Sequence, residues 1–368
     1  MAVTSVATGS PLAVKIWSEQ TMREALKLTQ LAKFMGTSPD SLVQVKDETS
    51  KRQGDSIRVG LVMIPTGQGV TGDATMHGNE DMLTINYDTV LIDQARNAVL
   101  SAGRISEQRA MYIFREEARP GLEKWIADLL DKSFMNQLAG NTGTVNNASL
   151  LQYTGQNATV APSTTSGNTR ILYGNGTCTT ENCLSACLCN FKLTNLDDAV
   201  ANAKLATPAI EPIRTPRGLK YVVFVHPLQA KAIRKDATAG RVTWYDYQKA
   251  VITGDGSQGN PIGNPDWGSL GEYNNVIIHE DARVPISSGS GSTGTQGGAG
   301  IYRAIFCGRQ AALMAFGRDN YMNRLRWDEE LFDYGAQAGI AVSMIFGVKK
   351  SIFNSIDFGT TVISSYAS

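Results

Sequence analysis

The sequence predicts an α+β fold, because strand and helix patterns occupy separate blocks of the chain. Residues 56–64 and 82–92 have the alternating, β-branched character of strands and predict a long hairpin with its tip at 65–81. Residues 106–138 carry apolar side chains mostly three or four apart, which predicts a long helix with one buried face. Residues 338–353 have the length and residue types of a long strand.

Composition narrows the class of protein. The chain has 368 residues, of which 42% are hydrophobic, enough for more than one domain. Its 34 basic and 34 acidic residues balance, which gives no sign of a protein that binds nucleic acid or a membrane surface. The sequence shows neither a secretion signal nor an apolar run of about 18 residues, so we expect no membrane partner.

The first part of the chain predicts an arm and then the hairpin. Residues 1–41 form an arm and a helix at 19–35, which is capped by Ser18 and ended by Gly36. This helix either packs on its own domain or reaches a neighbouring subunit. Residues 42–105 form the extended hairpin and its base. Because an isolated ribbon is barely stable in water, the hairpin should lie against its own domain or another chain.

The long helix at 106–139 contains a proline. Pro120 lacks an amide hydrogen, so we expect it to divide the helix into segments at about 106–118 and 120–138. The predicted structural core of the helix consists of Pro120, Leu122, Trp125, Ile126 and Leu129.

Three further units complete the predicted organisation. A tract rich in Thr, Asn, Gly and Ser at 140–189 predicts a polar insertion that buries little apolar surface. An α/β unit spans 190–318, with a Gly-rich insertion at 285–300, and return strands occupy 319–368. Within the α/β unit we expect helices at 195–205, 227–235 and 242–251, strands at 220–226 and 275–280, and a hairpin formed by YRAIFCG and AALMAFG.

The glycines of the hairpin tip match a nucleotide-binding motif, but the helix that the motif requires does not follow them. Gly67, Gly69 and Gly72 match G-x-G-x-x-G, but a strand and not a helix follows them. Dinucleotide binding needs that helix, because its N-terminal amides hold the pyrophosphate. The glycines instead predict a mobile tip in which positive φ angles are needed.

Four of the five cysteines cluster at Cys178, Cys183, Cys187 and Cys189. Their spacing matches no standard zinc pattern, so we expect no metal and free thiols in a reducing cytosol, with Cys183 and Cys187 on one helical face. A metal-dependent enzyme built on this cluster is the less favoured alternative.

The histidines do not form a catalytic constellation. His77, His226 and His279 are far apart, and the serine-elbow and phosphate-loop motifs do not occur. We therefore expect no enzymatic activity and no cofactor.

Four segments carry a family resemblance. They are VKIWSEQTMREALKLTQLAKFMG, TVLIDQARNAVLSAGRISEQRA, YVVFVHPLQAKAIRKD and DYGAQAGIAVSMIFGVKKSIF. The amino-acid sequences of these segments and the order of the predicted elements resemble the major capsid protein of tailed bacteriophages, in the branch of the Schitoviridae-type podovirus coats. In that fold, shared with herpesviruses, the units are the N-arm, the extended loop, the spine helix, the axial domain and the peripheral domain, to which the spine helix and the 319–368 strands belong.

The resemblance implies a structural protein of the virion. Its copies would form hexamers and pentamers of an icosahedral shell, assembled in the bacterial cytoplasm, that encloses double-stranded DNA without binding it specifically. The implied partners are a scaffolding protein and a portal, with a decoration protein as a further candidate. An encapsulin-type nanocompartment is the nearest alternative, since it would share the fold.

Two departures from the family refine this expectation. Some relatives join subunits through a lysine of the extended loop, but residues 65–81 contain no lysine, so we expect a non-covalent shell. Only about 16 residues precede the first predicted helix, so we expect a separate scaffolding protein. The candidate inter-subunit residues are Trp17, Lys51, Arg52, Arg58, Gly67, Gly69, Gly72, Asp73, His77 and Glu80.

Overall fold

The computed structural model describes residues 29, 31–46, 54–62, 67, 69–73, 75–83, 85–109, 114–140, 157–165, 168–174, 178–215, 218–236, 270–286, 300–317 and 325–367. Outside these residues lie Trp17, Lys51, Arg52, the predicted helix at 242–251 and most of both the predicted arm and the Gly-rich insertion.

The described strands and helices confirm the predicted α+β class. The strands are β1 Met35–Gly36, β2 Val43–Lys46, β3 Ser56–Val62, β4 Ile85–Leu91, β5 Asp93–Leu100, β6 Ile171–Tyr173, β7 Ile213–Thr215, β8 Gly218–Val225, β9 Gly271–Tyr273, β10 Val276–Glu280, β11 Ile301–Cys307, β12 Ala312–Phe316, β13 Leu325–Phe332, β14 Gln337–Lys350, β15 Ile352–Phe353, β16 Ile356–Asp357 and β17 Thr360–Tyr366. The helices are α1 Arg104–Arg109, α2 Phe114–Ala139, α3 Glu181–Cys187, α4 Leu193–Leu205 and α5 Pro227–Lys235.

The first sheet is organised by the long strand β14. It runs β1-β2-β12-β14-β13, and β5 also pairs with β14. Antiparallel partners cover nearly the whole length of β14: β13 and β5 along its first part and β12 along its last part. A fourteen-residue strand therefore supports three shorter ones.

The second sheet runs β6-β17-β11-β8-β10-β9, with β7 on β8. Strands β8 and β10 are parallel, and α5 lies in the connection between them. Successive side chains of β8 point to opposite faces. Val222 and Phe224 enter the core shared with α2, whereas Tyr221, Val223 and Val225 pack with residues of α4 and α5.

Helix α2 lies in a core to which both sheets contribute. Leu122, Ile126 and Leu129 are at most 2% exposed, and Trp125 is partly buried against the same cluster. Every residue from 133 to 140 is buried, so the prediction of a single buried face is wrong for the end of the helix. This burial is tolerated because polar side chains there have partners, as when the Gln137 amide donates to the Asn157 carbonyl at 2.7 Å.

The predicted division at Pro120 is wrong. Pro120 lies inside α2, which runs as one helix from Phe114 to Ala139. Pro120 is exposed, so it is not part of the core. The main-chain carbonyl of residue 116 lies one turn earlier on the same helical face, where water can replace the missing amide donor.

Two other local predictions also fail, the second of them over the described end of its range. The segments 301–307 and 312–316 do not pair, because β11 belongs to the second sheet and β12 to the first. The chain crosses between sheets at Gly308, where a Cβ atom would lie 2.4 Å from the Glu211 carbonyl oxygen. In the predicted helix at 19–35, the described end is a 3-10 turn over Leu31–Phe34 followed by β1.

The described part of the 140–189 tract is built into the body. Strand β6 pairs in parallel with β17, and the side chain of Arg170 beside it is completely buried. The low apolar content of the tract does not prevent this, because β6 pairs through its main chain and the Arg170 guanidinium donates to the Pro208 carbonyl at 2.7 Å. The Nε and Nη1 atoms of Arg170 are buried without a hydrogen-bond partner among the described residues.

Candidate subunit interface

Strands β3 and β4 form an antiparallel hairpin that stands apart from both sheets. Residues directly opposite one another in such a pair share a face. Arg58, Gly60, Val62, Ile85 and Tyr87 lie on one face, which we call the outward face, and all five are exposed. The opposite face carries Ile57, Val59, Leu61, Asn86, Asp88 and Val90, and it is more buried at every position.

The base of the hairpin is fixed to the first sheet. Ile57 and Val90 pack with Leu313 and Ala315 of β12. Beside them, Lys349 of β14 forms an ion pair with Asp88. These contacts fix the orientation of the hairpin relative to the first sheet, while its far end is exposed.

A side-chain clamp also holds the last residue of β4. The Asn157 side chain accepts a hydrogen bond from the Leu91 amide at 2.9 Å and donates to the Leu91 carbonyl at 2.7 Å. Asn157 belongs to the polar tract, so that tract helps to support the hairpin.

The outward face presents apolar surface to solvent. Val62, Ile85 and Tyr87 are 57%, 60% and 68% exposed, and the guanidinium carbon of Arg58 lies 5.5 Å from the centroid of the Tyr87 ring. An exposed ribbon with an apolar face is a surface for contact with another protein. Sequence reasoning named Arg58 but missed the apolar residues beside it, because apolar side chains occur on both faces of the hairpin.

The predicted tip candidates form a polar, glycine-rich turn. The Gly67 amide donates to the Asp81 carboxylate at 2.8 Å, and a Cβ atom on Gly67 would lie 2.0 Å from that carboxylate. Gly69 and Gly72 have φ angles of +67° and +69°, which explains the glycines without a nucleotide. Asp73 is exposed, as are the side chains of His77 and Glu80, whose Nδ1 and Oε1 atoms are 3.7 Å apart.

A second exposed apolar region lies where β13 turns into β14. Leu100, Leu331, Phe332 and Tyr334, which we call the sheet-end patch, are 56%, 70%, 44% and 107% exposed. Leu100 and Phe332 lie over Gly339, whose missing side chain leaves room for the Phe332 ring, whereas Leu331 points to the opposite face of β13. Sequence reasoning missed this patch, although the run of Leu331 and Phe332 before Tyr334 and Gly335 marks an apolar turn.

The three histidines lie in three separate places. His77 lies on the hairpin tip, and His226 caps α5, where its Nδ1 accepts from the Leu228 amide at 3.3 Å. His279 is buried beside Phe34 and Phe224, and burial together with the nearby charge of Lys33 lowers its pKa to about 4.

The cysteine cluster differs from its prediction. Cys178 is joined to Cys183 and Cys187 to Cys189 by disulfides, so the prediction of free thiols is wrong for these four residues. Helix α3 places Cys183 and Cys187 one turn apart, and the left-handed conformation of Leu188 turns Cys189 back to Cys187. Cys307 is a buried free thiol, whose pKa burial raises.

A two-sheet body around a long helix, with an anchored ribbon that presents an apolar face, fits a subunit of a protein shell. The family comparison agrees, since the model of the phage capsid protein family matches residues 5–368. The chain belongs to that family, which is a structural family and not an enzyme family. None of the described helices combines the length and apolar character that a membrane crossing requires.

Individual relatives extend the comparison over the whole chain. The major capsid protein of Pseudomonas phage KPP25 is 30% identical over 377 aligned residues, which cover 95% of this chain and 94% of the relative. The capsid of Ralstonia phage GP4 superposes with a TM-score of 0.73 at 28% identity, over 100% of this chain and 99% of that one. The capsid of cyanophage Pam1, at 20% identity and a TM-score of 0.70 over 93% of each chain, supports the fold alone.

Proposed function

We propose that copies of this chain form hexamers and pentamers that close into an icosahedral shell around double-stranded DNA. The observation that carries this proposal is the hairpin, which is fixed at its base and apolar on its outward face. A head-to-tail contact that closes into a ring lets one chain tile a shell, and a projecting ribbon adds contact area beyond the compact body.

The contacts between subunits are non-covalent in this proposal. The outward face and the sheet-end patch supply apolar surface, and residues 65–81 offer no lysine for a cross-link. Arg58, Gly67, Gly69, Gly72, Asp73, His77 and Glu80 lie in the same hairpin and would contact the neighbouring copy, as would Trp17, Lys51 and Arg52 of the N-terminal segments. A ladder of covalently linked subunits, seen when particles are run on a denaturing gel, would contradict this part of the proposal.

Division into domains follows the two sheets. The first sheet with α2 would form the peripheral domain, and the second sheet with α4 and α5 the axial domain. The units at 1–41, 42–105, 106–139, 140–189, 190–318 and 319–368 would be the arm, the extended loop, the spine helix, the insertion, the axial unit and the return strands.

The proposed partners are a separate scaffolding protein, a portal and, on the 140–189 insertion, a decoration protein. A net charge of zero suits a shell that encloses DNA without binding its phosphates tightly. The protein would be a virion component assembled in the host cytoplasm, with no catalytic activity and no cofactor needed for forming the shell.

Electron microscopy tests the proposal. The chain is expressed alone and together with the genes that neighbour it, and closed icosahedral particles are expected in the second case at least. Particles that protect double-stranded DNA distinguish a virus shell from a nanocompartment, and persistent monomers in both cases would contradict shell formation.

A further inference from the structure

We propose that Cys178, Cys183, Cys187 and Cys189 form a zinc site when the chain is reduced, and that the two disulfides are the oxidised form of the same cluster. The proposal goes beyond the shell function, although it rests on the proposed cytoplasmic assembly for the redox compartment. A reducing cytoplasm keeps thiols free, and thiolates are the ligands that structural zinc prefers.

Convergence of three of the four sulfurs, with the fourth bonded to one of them, is the first observation. The Sγ atoms of Cys178, Cys183 and Cys187 all lie within 4.8 Å of one another, and Cys189 is bonded to Cys187. The distance from Cys178 Sγ to Cys187 Sγ, which are not bonded, is 3.8 Å. Two sulfurs of a tetrahedral zinc site, each about 2.3 Å from the ion, are separated by about 3.8 Å.

The pairing of the disulfides is the second observation. The bridges join residues only five and two positions apart, so neither ties this segment to another part of the fold. A stabilising cross-link gains most from closing a long loop. One ion held by all four sulfurs would instead fix the whole segment from Cys178 to Cys189 around a single centre.

The backbone already brings the ligands together. Cys183 and Cys187 share a face of α3, and the Cys189 amide donates to the Leu184 carbonyl at 3.2 Å beyond the helix end. The helix and this turn bring the cysteines together, although their spacing along the sequence is not that of two C-x-x-C units.

Surroundings of the cluster fit an ion site. Cys178 is buried, Cys183 and Cys189 are partly buried, and Cys187 is exposed, so an ion or a reductant can reach the cluster at Cys187. The cluster packs against Leu184 and Ile301, and Glu181 of the same helix is held by Arg303. The position of α3 is therefore fixed before an ion binds.

The chemistry balances in both directions. Four thiols bind one Zn²⁺ as thiolates and release four protons, so binding weakens as pH falls. In oxidation, two molecules of a small disulfide accept four electrons and leave as four thiolates, while two protein disulfides form and the ion departs.

Metal analysis of the full chain, purified under reducing conditions as folded, unassembled subunits, tests the proposal. About one zinc per chain is expected after gel filtration, and cobalt in place of zinc should give a thiolate-to-metal charge-transfer band. Cys183→Ser should lower zinc content at least tenfold, whereas Cys307→Ala, which removes a thiol outside the cluster, should leave it unchanged.

Reduced, folded wild-type protein with less than about a tenth of an equivalent of zinc would overturn the proposal, as would disulfides that persist under the reductant. Equal zinc in the wild-type and Cys183→Ser proteins would also overturn it. Wild-type metal content and the cobalt spectrum decide the question even where Cys183→Ser does not fold. Zinc content is measured on unassembled subunits, and shell formation is measured separately. A protein that lacks zinc but still forms shells therefore contradicts only the zinc site and not the proposed shell function.

Discussion

The guanidinium of Arg303 in β11 donates to both carboxylate oxygens of Glu181 in α3, at 2.7 Å from Nε and 3.0 Å from Nη2. Its Nη1 donates to the carbonyls of Ala139 and Gly140, at 3.3 Å and 3.1 Å. Arg303 and Glu181 are only 6% and 4% exposed. One buried ion pair therefore joins the second sheet, the cysteine helix and the end of α2.

Arg303→Ala should lower the free energy of unfolding by about 3–5 kcal/mol, because it leaves the Glu181 charge buried without its cation. The double change Arg303→Met with Glu181→Leu should lower it by less, since no charge remains unpaired. Denaturant unfolding of unassembled subunits measures both. A loss below about 1 kcal/mol for Arg303→Ala would contradict the assigned role.

Leu122→Ala should lower the unfolding free energy by about 2–5 kcal/mol, because Leu122 is 1% exposed in the core around α2. Lys124→Ala, on the exposed side of the same helix, should change it by no more than about 0.5 kcal/mol. Equal effects of the two changes in denaturant unfolding would show that the buried face of α2 is misassigned.

The buried imidazole of His279 should make stability depend on pH. Burial lowers its pKa from the ordinary value of 6.5 to about 4, so the unfolded chain takes up a proton at a pH where the folded chain does not. Stability is therefore retained above about pH 6.5 and lost as the pH falls towards 4. From pH 7 to pH 5 the loss should be about 2 kcal/mol.

Burial also lowers the pKa of His226, so His226 contributes to the pH dependence as well. Variants are therefore needed to isolate the contribution of His279. His279→Phe should remove most of the pH dependence in this window, whereas His77→Gln at the exposed tip should not change it. Denaturant unfolding at pH 7, 6 and 5 provides the measurement. An unchanged slope in His279→Phe would contradict the assignment.

Ile85→Asp should impair shell assembly and leave the stability of the subunit nearly unchanged, because Ile85 is 60% exposed on the outward face. Asn86→Asp adds the same charge to the opposite face of the ribbon and serves as the matched control. Particle yield by sedimentation and unfolding free energy are measured together. Normal assembly of Ile85→Asp would contradict the role of this face.

Local patterns predicted the elements whose signals lie within a few residues. The hairpin of β3 and β4 matches the predicted strands, and α5 begins at Pro227, where proline suits the first helical turn. The strand predicted at 338–353 corresponds to β14. It was predictable because its length and its β-branched residues are local features of the sequence. Such features need no knowledge of the rest of the fold.

Features that depend on distant residues were not predictable. β11 and β12 look like a hairpin, but each finds its partner in a different sheet, and the crossing at Gly308 depends on Glu211. Tolerance of Pro120 depends on the face of α2 that remains exposed. The same holds for Cys189, which the backbone turn at Leu188 brings back to Cys187.

The candidate interface was predicted only in part. Its glycine-rich tip and Arg58 were named, since residue type alone marks them. The apolar residues Ile85 and Tyr87 were missed because apolar side chains occur on both faces of the hairpin, and only its packing on β12 shows which face remains exposed.

A reconstruction of the assembled particle by electron cryomicroscopy tests the shell proposal most directly. We expect closed icosahedral particles in which the outward face of each hairpin, including Ile85 and Tyr87, packs against a neighbouring copy of the chain. A closed shell in which this face stays in solvent would contradict the assigned interface, and failure to form any closed particle under conditions in which the subunit folds would contradict the proposed function.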